Sequence, residues 1–179
     1  MAGSDAAARV DEVGTRILEA ALQILRARGP RAVTMQAVVE ATGIAKTTIY
    51  RRHPNRRALL TAALEGLVMR PAIPPESSRE QRLRWVVSQS VDVIANGIGV
   101  GGFAALLTDE DPDFSEAFRA ILGAHRGQAI EVLGGDSGDG DTVIDMIVGG
   151  YVAELARTGT VDRGWPDRTL AVLNRGVVT

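Results

Sequence analysis

The chain contains no cysteine. That excludes disulfides, thiolate metal sites, thiol redox chemistry and a cysteine nucleophile. Histidine is almost as scarce, with only His53 and His125, too few for a histidine-built zinc site or a hydrolase triad within one chain. Aromatic residues make up 4%, so surfaces on which a flat ligand stacks are few. Lysine occurs once, at Lys46, against 19 arginines. No uninterrupted apolar run approaches the roughly 20 residues of a membrane span. Residues 1–9 lack the apolar core of a secretory signal. The expectation is a cytoplasmic chain with no membrane partner, no cofactor and no metal.

What is present is ordinary for a globular protein: 179 residues, 45% apolar and 23% charged. That is enough for one large domain or two small ones with a real core. The formal net charge of −2 hides an asymmetry. Residues 1–70 hold 11 Lys/Arg and 6 Asp/Glu, whereas residues 71–179 hold 9 and 16. A basic N-terminal third on an acidic remainder suggests two jobs on one chain. The basic charge is concentrated at Lys46, Arg51, Arg52, Arg56 and Arg57, with no acid between them. A run of this kind is either a solvated face or a phosphate-facing surface.

Local pattern separates the two readings. Val13, Ile17, Ala20, Ala21, Ile24 and Leu25 form an i, i+3/i+4, i+7 stripe, which predicts a helix over 13–27. Gly29-Pro30 ends it. Thr34 is the predicted N-cap of a short helix with Met35, Val38 and Val39 inward. Thr42-Gly43 breaks that helix, and residues 44–51 form a third with Ile49 inward. A fourth helix is predicted over 56–69. Two short helices joined by a glycine-containing turn make a helix-turn-helix. Its second helix carries Ala45, Lys46, Thr47, Thr48, Tyr50 and Arg51: small, hydroxylated, basic or aromatic residues suited to a major groove and its phosphate walls.

The segments Ile17-Leu18-Glu19-Ala20-Ala21, Gly29, Thr34-Met35-Gln36-Ala37-Val38, Gly43-Ile44-Ala45-Lys46-Thr47-Thr48-Ile49-Tyr50-Arg51 and Asn55-Arg56-Arg57-Ala58-Leu59-Leu60 resemble the DNA-binding domain of the TetR family of bacterial transcriptional regulators. The resemblance covers about residues 13–62. Two positions depart from the family pattern: His53 stands where an aromatic Phe is usual, and Pro54-Asn55-Arg56 replaces a Ser/Asn-Lys-Glu start of the fourth helix. The resemblance implies that Thr34 and Gln36 meet phosphate, with Gln36 within reach of a base. It implies that Lys46 and Thr47 read bases, flanked by Ala45. Thr48, Tyr50 and Arg56 would clamp phosphates, and Arg51 and Arg52 would do either. It further implies an all-α fold of about nine helices. An N-terminal three-helix DNA-binding domain would be followed by an α-helical ligand-binding and dimerisation bundle. The expected divisions are a flexible arm (1–12), the helix-turn-helix domain (13–58) and an effector-binding and dimerisation domain (59–179).

The acidic two-thirds carry no DNA signature. Residues 71–75 read as a linker. Helices are predicted over about 79–96, 103–107, 113–133 and 142–157, with a last one starting at Pro166. Gly97, Gly99 and Gly102 spell G-x-G-x-x-G within a glycine-rich break, but no strand precedes them, so a dinucleotide fingerprint is not expected. The acidic loop 134–141 lacks the spacing and terminal Glu of an EF-hand. Trp85, Phe103, Phe114, Phe118, His125 and Met146 are candidate effector-pocket residues, with plain core packing as the alternative for each. Gly149, Gly150, Tyr151 and Leu173 are candidates for a homodimer interface, since the last two helices of the resembled regulators pair with a partner's.

The expected function is a sequence-specific DNA-binding regulator, a repressor that a small-molecule effector releases from a palindromic operator. The alternative is a helical interaction protein whose basic face meets an acidic partner other than DNA. An enzyme site at Asp109, Glu110, Asp111 and Asp113 finds no His or Lys beside it, and that cluster reads as the start of a helix.

Overall fold

A computed structural model describes residues 2–67, 73–134 and 137–176, with side chains over 12–67, 73–134 and 139–175. The described residues form α-helices and no strands. In chain order these are α1 (Ala2–Arg28), a 3-10 turn (Pro30–Ala32), α2 (Met35–Thr42), α3 (Lys46–Arg52) and α4 (Arg56–Glu65). They continue with α5 (Arg79–Asp92), a π-helical segment (Val93–Ile98), α6 (Gly99–Thr108), α7 (Pro112–Leu133), α8 (Ser137–Thr158) and α9 (Trp165–Gly176).

Two compact units divide the chain. The first takes Met1–Met69 and Gly97–Ile121, and the second Arg70–Asn96 and Leu122–Thr179. The division at residue 58 expected from the sequence follows the extent of the motif. Packing instead groups α4, α6 and the start of α7 with the N-terminal helices.

In the first unit, α1 is the central strut and packs against α2, α4 and α6. Ile17, Ala21 and Leu25 of α1 are buried with Val38, Ile49, Leu59, Leu60 and Leu64. Burying one such aliphatic side chain contributes about 1.5–3 kcal/mol, and that core fixes where α2 and α3 sit. Gly29, at φ 80, supplies the left-handed residue that stops α1. Thr34 caps α2, its side chain accepting from the Ala37 N–H at 3.0 Å. Gly43, at φ 68, ends α2, and its N–H donates to the Val39 carbonyl at 2.8 Å. In the second unit α5 packs against α8 and α9. Ser78 and Gln81 form a reciprocal capping box at the start of α5.

Several elements depart from the sequence reading. Residues 2–12, expected to be an arm, continue α1. The glycine-rich break at 97–102 is not a loop: the chain stays helical through the π segment into α6, bending at Gly99 with φ 70. Gly99 lies against Arg26 of α1, where an added Cβ would stand 3.7 Å from its backbone, and the Arg26 Nε donates to the Gly97 carbonyl at 2.8 Å. Gly99 serves the helix bend, with a φ that residues bearing a Cβ rarely adopt. Residues 137–141, read as part of an acidic loop, belong to α8. Residues 68–72, which hold the expected end of the fourth helix and part of the linker, and 135–136 lie outside the described residues.

Arg79–Thr108 forms one helical path holding an 18-residue window of mean hydropathy 1.6, long and apolar enough to cross a membrane by composition. Of that window 39% is buried, and along the path Val86, Val87, Val93, Ile94 and Ile98 are buried.

Candidate nucleic-acid interface

The seven residues of α3 sort by period. Ile49 is fully buried, which leaves Lys46, Thr47, Tyr50 and Arg51 exposed and Thr48 half-buried. Ala45 precedes them as an exposed, uncapped N-cap. The Lys46 ammonium lies 5.6 Å from the centre of the Tyr50 ring, a cation–π contact that orients both groups at an exposed site. On α2, Thr34 and Gln36 are also exposed. The first unit therefore presents Thr34, Gln36, Ala45, Lys46, Thr47, Tyr50 and Arg51 to solvent from one helix-turn-helix. Hydroxyl, amide, ammonium and guanidinium donors among them suit phosphate and base acceptors.

The turn between α2 and α3 is locked by side chains. The Thr42 hydroxyl donates to the Val38 carbonyl at 2.7 Å and accepts from the Ile44 N–H at 3.2 Å. Arg16 of α1 donates to the Thr42 carbonyl at 3.2 Å. Gln36 Nε2 donates to Glu40 Oε1 at 2.9 Å. Sequence reasoning missed Arg16 and Glu40. The i, i+4 spacing of Gln36 and Glu40 was a usable signal, whereas nothing in the sequence marks the reach of Arg16.

Two arginines named for DNA contact make contacts within the protein. Arg52 is half-buried, with its guanidinium beside α1, so close that a Cβ on Gly14 would stand 3.3 Å from it. Arg56, expected to clamp phosphate, is taken up inside the unit. Its Nε donates to the Val33 carbonyl at 2.8 Å and one terminal nitrogen to the Pro30 carbonyl at 2.8 Å. Both terminal nitrogens donate to the Asp111 carboxylate, one of them at 3.1 Å, and Asp113 lies 3.5 Å away. Charge at the start of a helix pointed to DNA, but the carboxylates that claim Arg56 come from 55 or more positions along the chain, beyond any motif.

The acidic cluster 109–113, in the turn between α6 and α7 and the start of α7, is taken up by ion pairs. Asp109 pairs with Arg119 at 3.3 Å, Glu110 with Arg31 at 3.5 Å, and Asp111 and Asp113 with Arg56. Asp111 also accepts from the Phe114 N–H at 3.2 Å, capping α7.

In the first unit, Asp111 and His53 are shifted from their ordinary pKa values. Burial alone would raise the Asp111 pKa, but the hydrogen bonds from Arg56 and the Phe114 N–H and the charges of Arg56 and Arg31 outweigh it and hold the carboxyl below 3.8. Burial, aided by the Arg52 charge, lowers His53 below 6.5. Between 6.5 and its lowered value only the unfolded His53 carries the extra proton, so stability falls as pH drops through that window. The Asp111 contribution is present above 3.8 and is lost as pH falls through its lowered value. Thermal melting is expected to fall in two acid steps. The first should vanish in His53→Phe and the second should shrink in Asp111→Asn.

The remaining candidates are dispersed. Phe103, Phe114 and Phe118 belong to the first unit, and Trp85, His125 and Met146 to the second. Phe114 and Phe118 are fully buried and stacked at 5.6 Å. His125 is buried, Trp85 and Phe103 are half-buried, and Met146 is 56% exposed. In the second unit Tyr151 and Leu173, nominated for a dimer interface, are buried within the chain. Tyr151 meets Trp165 edge to face at 5.6 Å, and Gly150 lies against the same ring. Gly149 is exposed and faces open space. Met146 lines an open groove of ≈ 260 Å³ with Glu154, Trp165, Arg168, Thr169, Val172 and Leu173.

The buried Ile49, the exposed donors of α3 and the glycine turn define a helix-turn-helix DNA-binding domain. Residues 17–63 match the family model described as bacterial regulatory proteins, tetR family. The N-terminal domain belongs to the TetR family of DNA-binding transcriptional regulators. No curated protein matches the chain.

Proposed function

We propose that the protein is a repressor that binds a palindromic operator as a homodimer and is released by a small-molecule effector. One observation carries the DNA-reading part: α3 buries Ile49 while Lys46, Thr47, Tyr50 and Arg51 stay exposed. A two-fold dimer places two such helices one DNA turn apart, roughly 34–36 Å. An effector that favours a conformer with a different separation lowers operator affinity, and DNA then lowers effector affinity by the same factor. The candidates for sensing it are Trp85, His125 and Met146 in the second unit and, as a separate set, Phe103, Phe114 and Phe118 in the first.

The test is fluorescence anisotropy on the duplex upstream of the protein's own gene, with a scrambled duplex of equal length, across a salt series. A preference of about a hundredfold or more with a steep salt slope supports the reading. Equal binding to both duplexes counts against it.

For the homodimer, support comes from the exposed apolar face of the second unit. Met146 of α8 and Val172 of α9 are 56% and 54% exposed beside one groove, with the Cβ-free surface of Gly149 on α8 open to close approach. The double variant Met146→Asp, Val172→Asp is expected to raise the dimer dissociation constant by about a hundredfold or more. Sedimentation velocity checks this, and an unchanged dimer would place the interface elsewhere.

A further inference from the structure

The turn between α6 and α7 is stitched to the chain just before α2. Arg31, on the 3-10 turn, donates twice to the Glu110 carbonyl, at 3.0 and 2.7 Å. Arg56 makes the second stitch. It holds the Pro30 and Val33 carbonyls on one side and the Asp111 carboxylate on the other. Val33 is fully buried and directly precedes Thr34, the N-cap of α2. The turn is shaped for this. Asp109 takes a left-handed backbone, φ 51, found in no other non-glycine residue among those described, and such a conformation persists where its surroundings over-determine it. Asp111 is itself buried, and a buried carboxylate with a bidentate guanidinium partner fixes geometry as well as charge.

We propose that Asp111 is a positioning residue for operator recognition: through Arg56 it fixes the Val33 carbonyl, and with it the start of α2 that carries Thr34 and Gln36. The inference rests on the DNA-binding reading, but its geometric half concerns the protein alone. Asp111 lies well outside the matched segment 17–63, so the domain that reads DNA borrows this support from the α6–α7 turn. The Arg56 donors are spent on carbonyls and carboxylate, which removes it from the phosphate-binding set and makes it a cross-tie.

The experiment uses the full chain and two variants. Asp111→Ser keeps an oxygen to cap α7 but gives up the bidentate grip on Arg56. Arg56→Lys keeps the positive charge but lacks the planar fork that reaches two carbonyls and a carboxylate at once. The first readout needs no DNA. Hydrogen exchange at the Ala37 and Val38 amides, which bond to the Thr34 side chain and carbonyl, is expected to quicken by about tenfold or more in both variants. The second is the ratio of operator to scrambled-duplex affinity, measured where circular dichroism shows each variant folded. It is expected to fall by about tenfold with scrambled-duplex affinity and salt slope unchanged.

A merely structural role would lower melting temperature, quicken exchange across the first unit alike rather than selectively at Ala37 and Val38, and leave the duplex ratio unmoved, which overturns the proposal. A phosphate role for Arg56 would leave Arg56→Lys near wild type while Asp111→Ser raised affinity for every duplex, which also overturns it. If the wild-type protein prefers no duplex, the regulator reading fails, and exchange at Ala37 and Val38 still decides whether Asp111 positions α2.

Discussion

Lys46→Ala is expected to cost sequence discrimination. A well-placed contact from a basic side chain to a base edge is worth about 1–3 kcal/mol of preference for the right base, so operator affinity should fall by roughly 5- to 150-fold while scrambled-duplex affinity changes little. The ammonium is the first residue of α3 and is steered by the Tyr50 ring at 5.6 Å, so its loss removes a directed donor. Arg51→Ala is the control. Arg51 is exposed at the other end of α3, and its removal should weaken every duplex alike and lower the salt slope by about one. Anisotropy titrations on matched and single-mismatch duplexes distinguish the two. Equal loss of discrimination in both variants would contradict the division of labour along α3.

Phe118→Ala is expected to have the largest effect on stability. Phe118 is fully buried and stacks on Phe114 with the rings 8° from parallel. Truncating a core Phe to Ala costs about 3–5 kcal/mol, because the transfer free energy is lost and a cavity is left. The melting temperature should fall by roughly 6–20 °C. Leu107→Ala is the comparison: Leu107 is 69% exposed and its truncation should stay within about 0.5 kcal/mol. Differential scanning calorimetry of the two variants provides the check. A Phe118→Ala protein that melts like the wild type would mean that the site relaxes to fill the space.

The helix-turn-helix was legible because its determinants are local. Thr34 caps, Gly43 turns, and Ile49 faces inward at a spacing that any helical period requires. Those signals lie within a few residues of what they decide. The exposed members of the candidate site were legible for the same reason: once Ile49 points inward, Lys46, Thr47, Tyr50 and Arg51 are left outside. The internal contacts of Arg52 and Arg56 were not legible, because the acceptor or surface that meets each is remote in sequence. A guanidinium near the start of a helix looks alike whether it will meet a phosphate or Asp111. The glycine-rich segment at 97–102 was read as a break because glycine lowers helix propensity. There the bend is stabilised by Arg26, which donates to the Gly97 carbonyl across 71 positions, a compensation that propensity does not see. The packing of Tyr151 against Trp165 and the burial of Leu173 in the second unit were not legible either, since each depends on residues on another helix.

The placement of Lys46 has a chemical consequence. It is the chain's only lysine, so all of the protein's side-chain primary-amine reactivity sits on α3, the helix proposed to read DNA. An acylating reagent therefore has a single side-chain amine to find, and peptide mapping, which separates it from the more acidic α-amino group, reports its occupancy. Covered by a duplex, that amine should react more slowly, and the rate of labelling becomes a footprint of one residue. Acylation would also erase the ammonium charge that the Tyr50 ring faces, so one reagent both marks the recognition helix and disarms it.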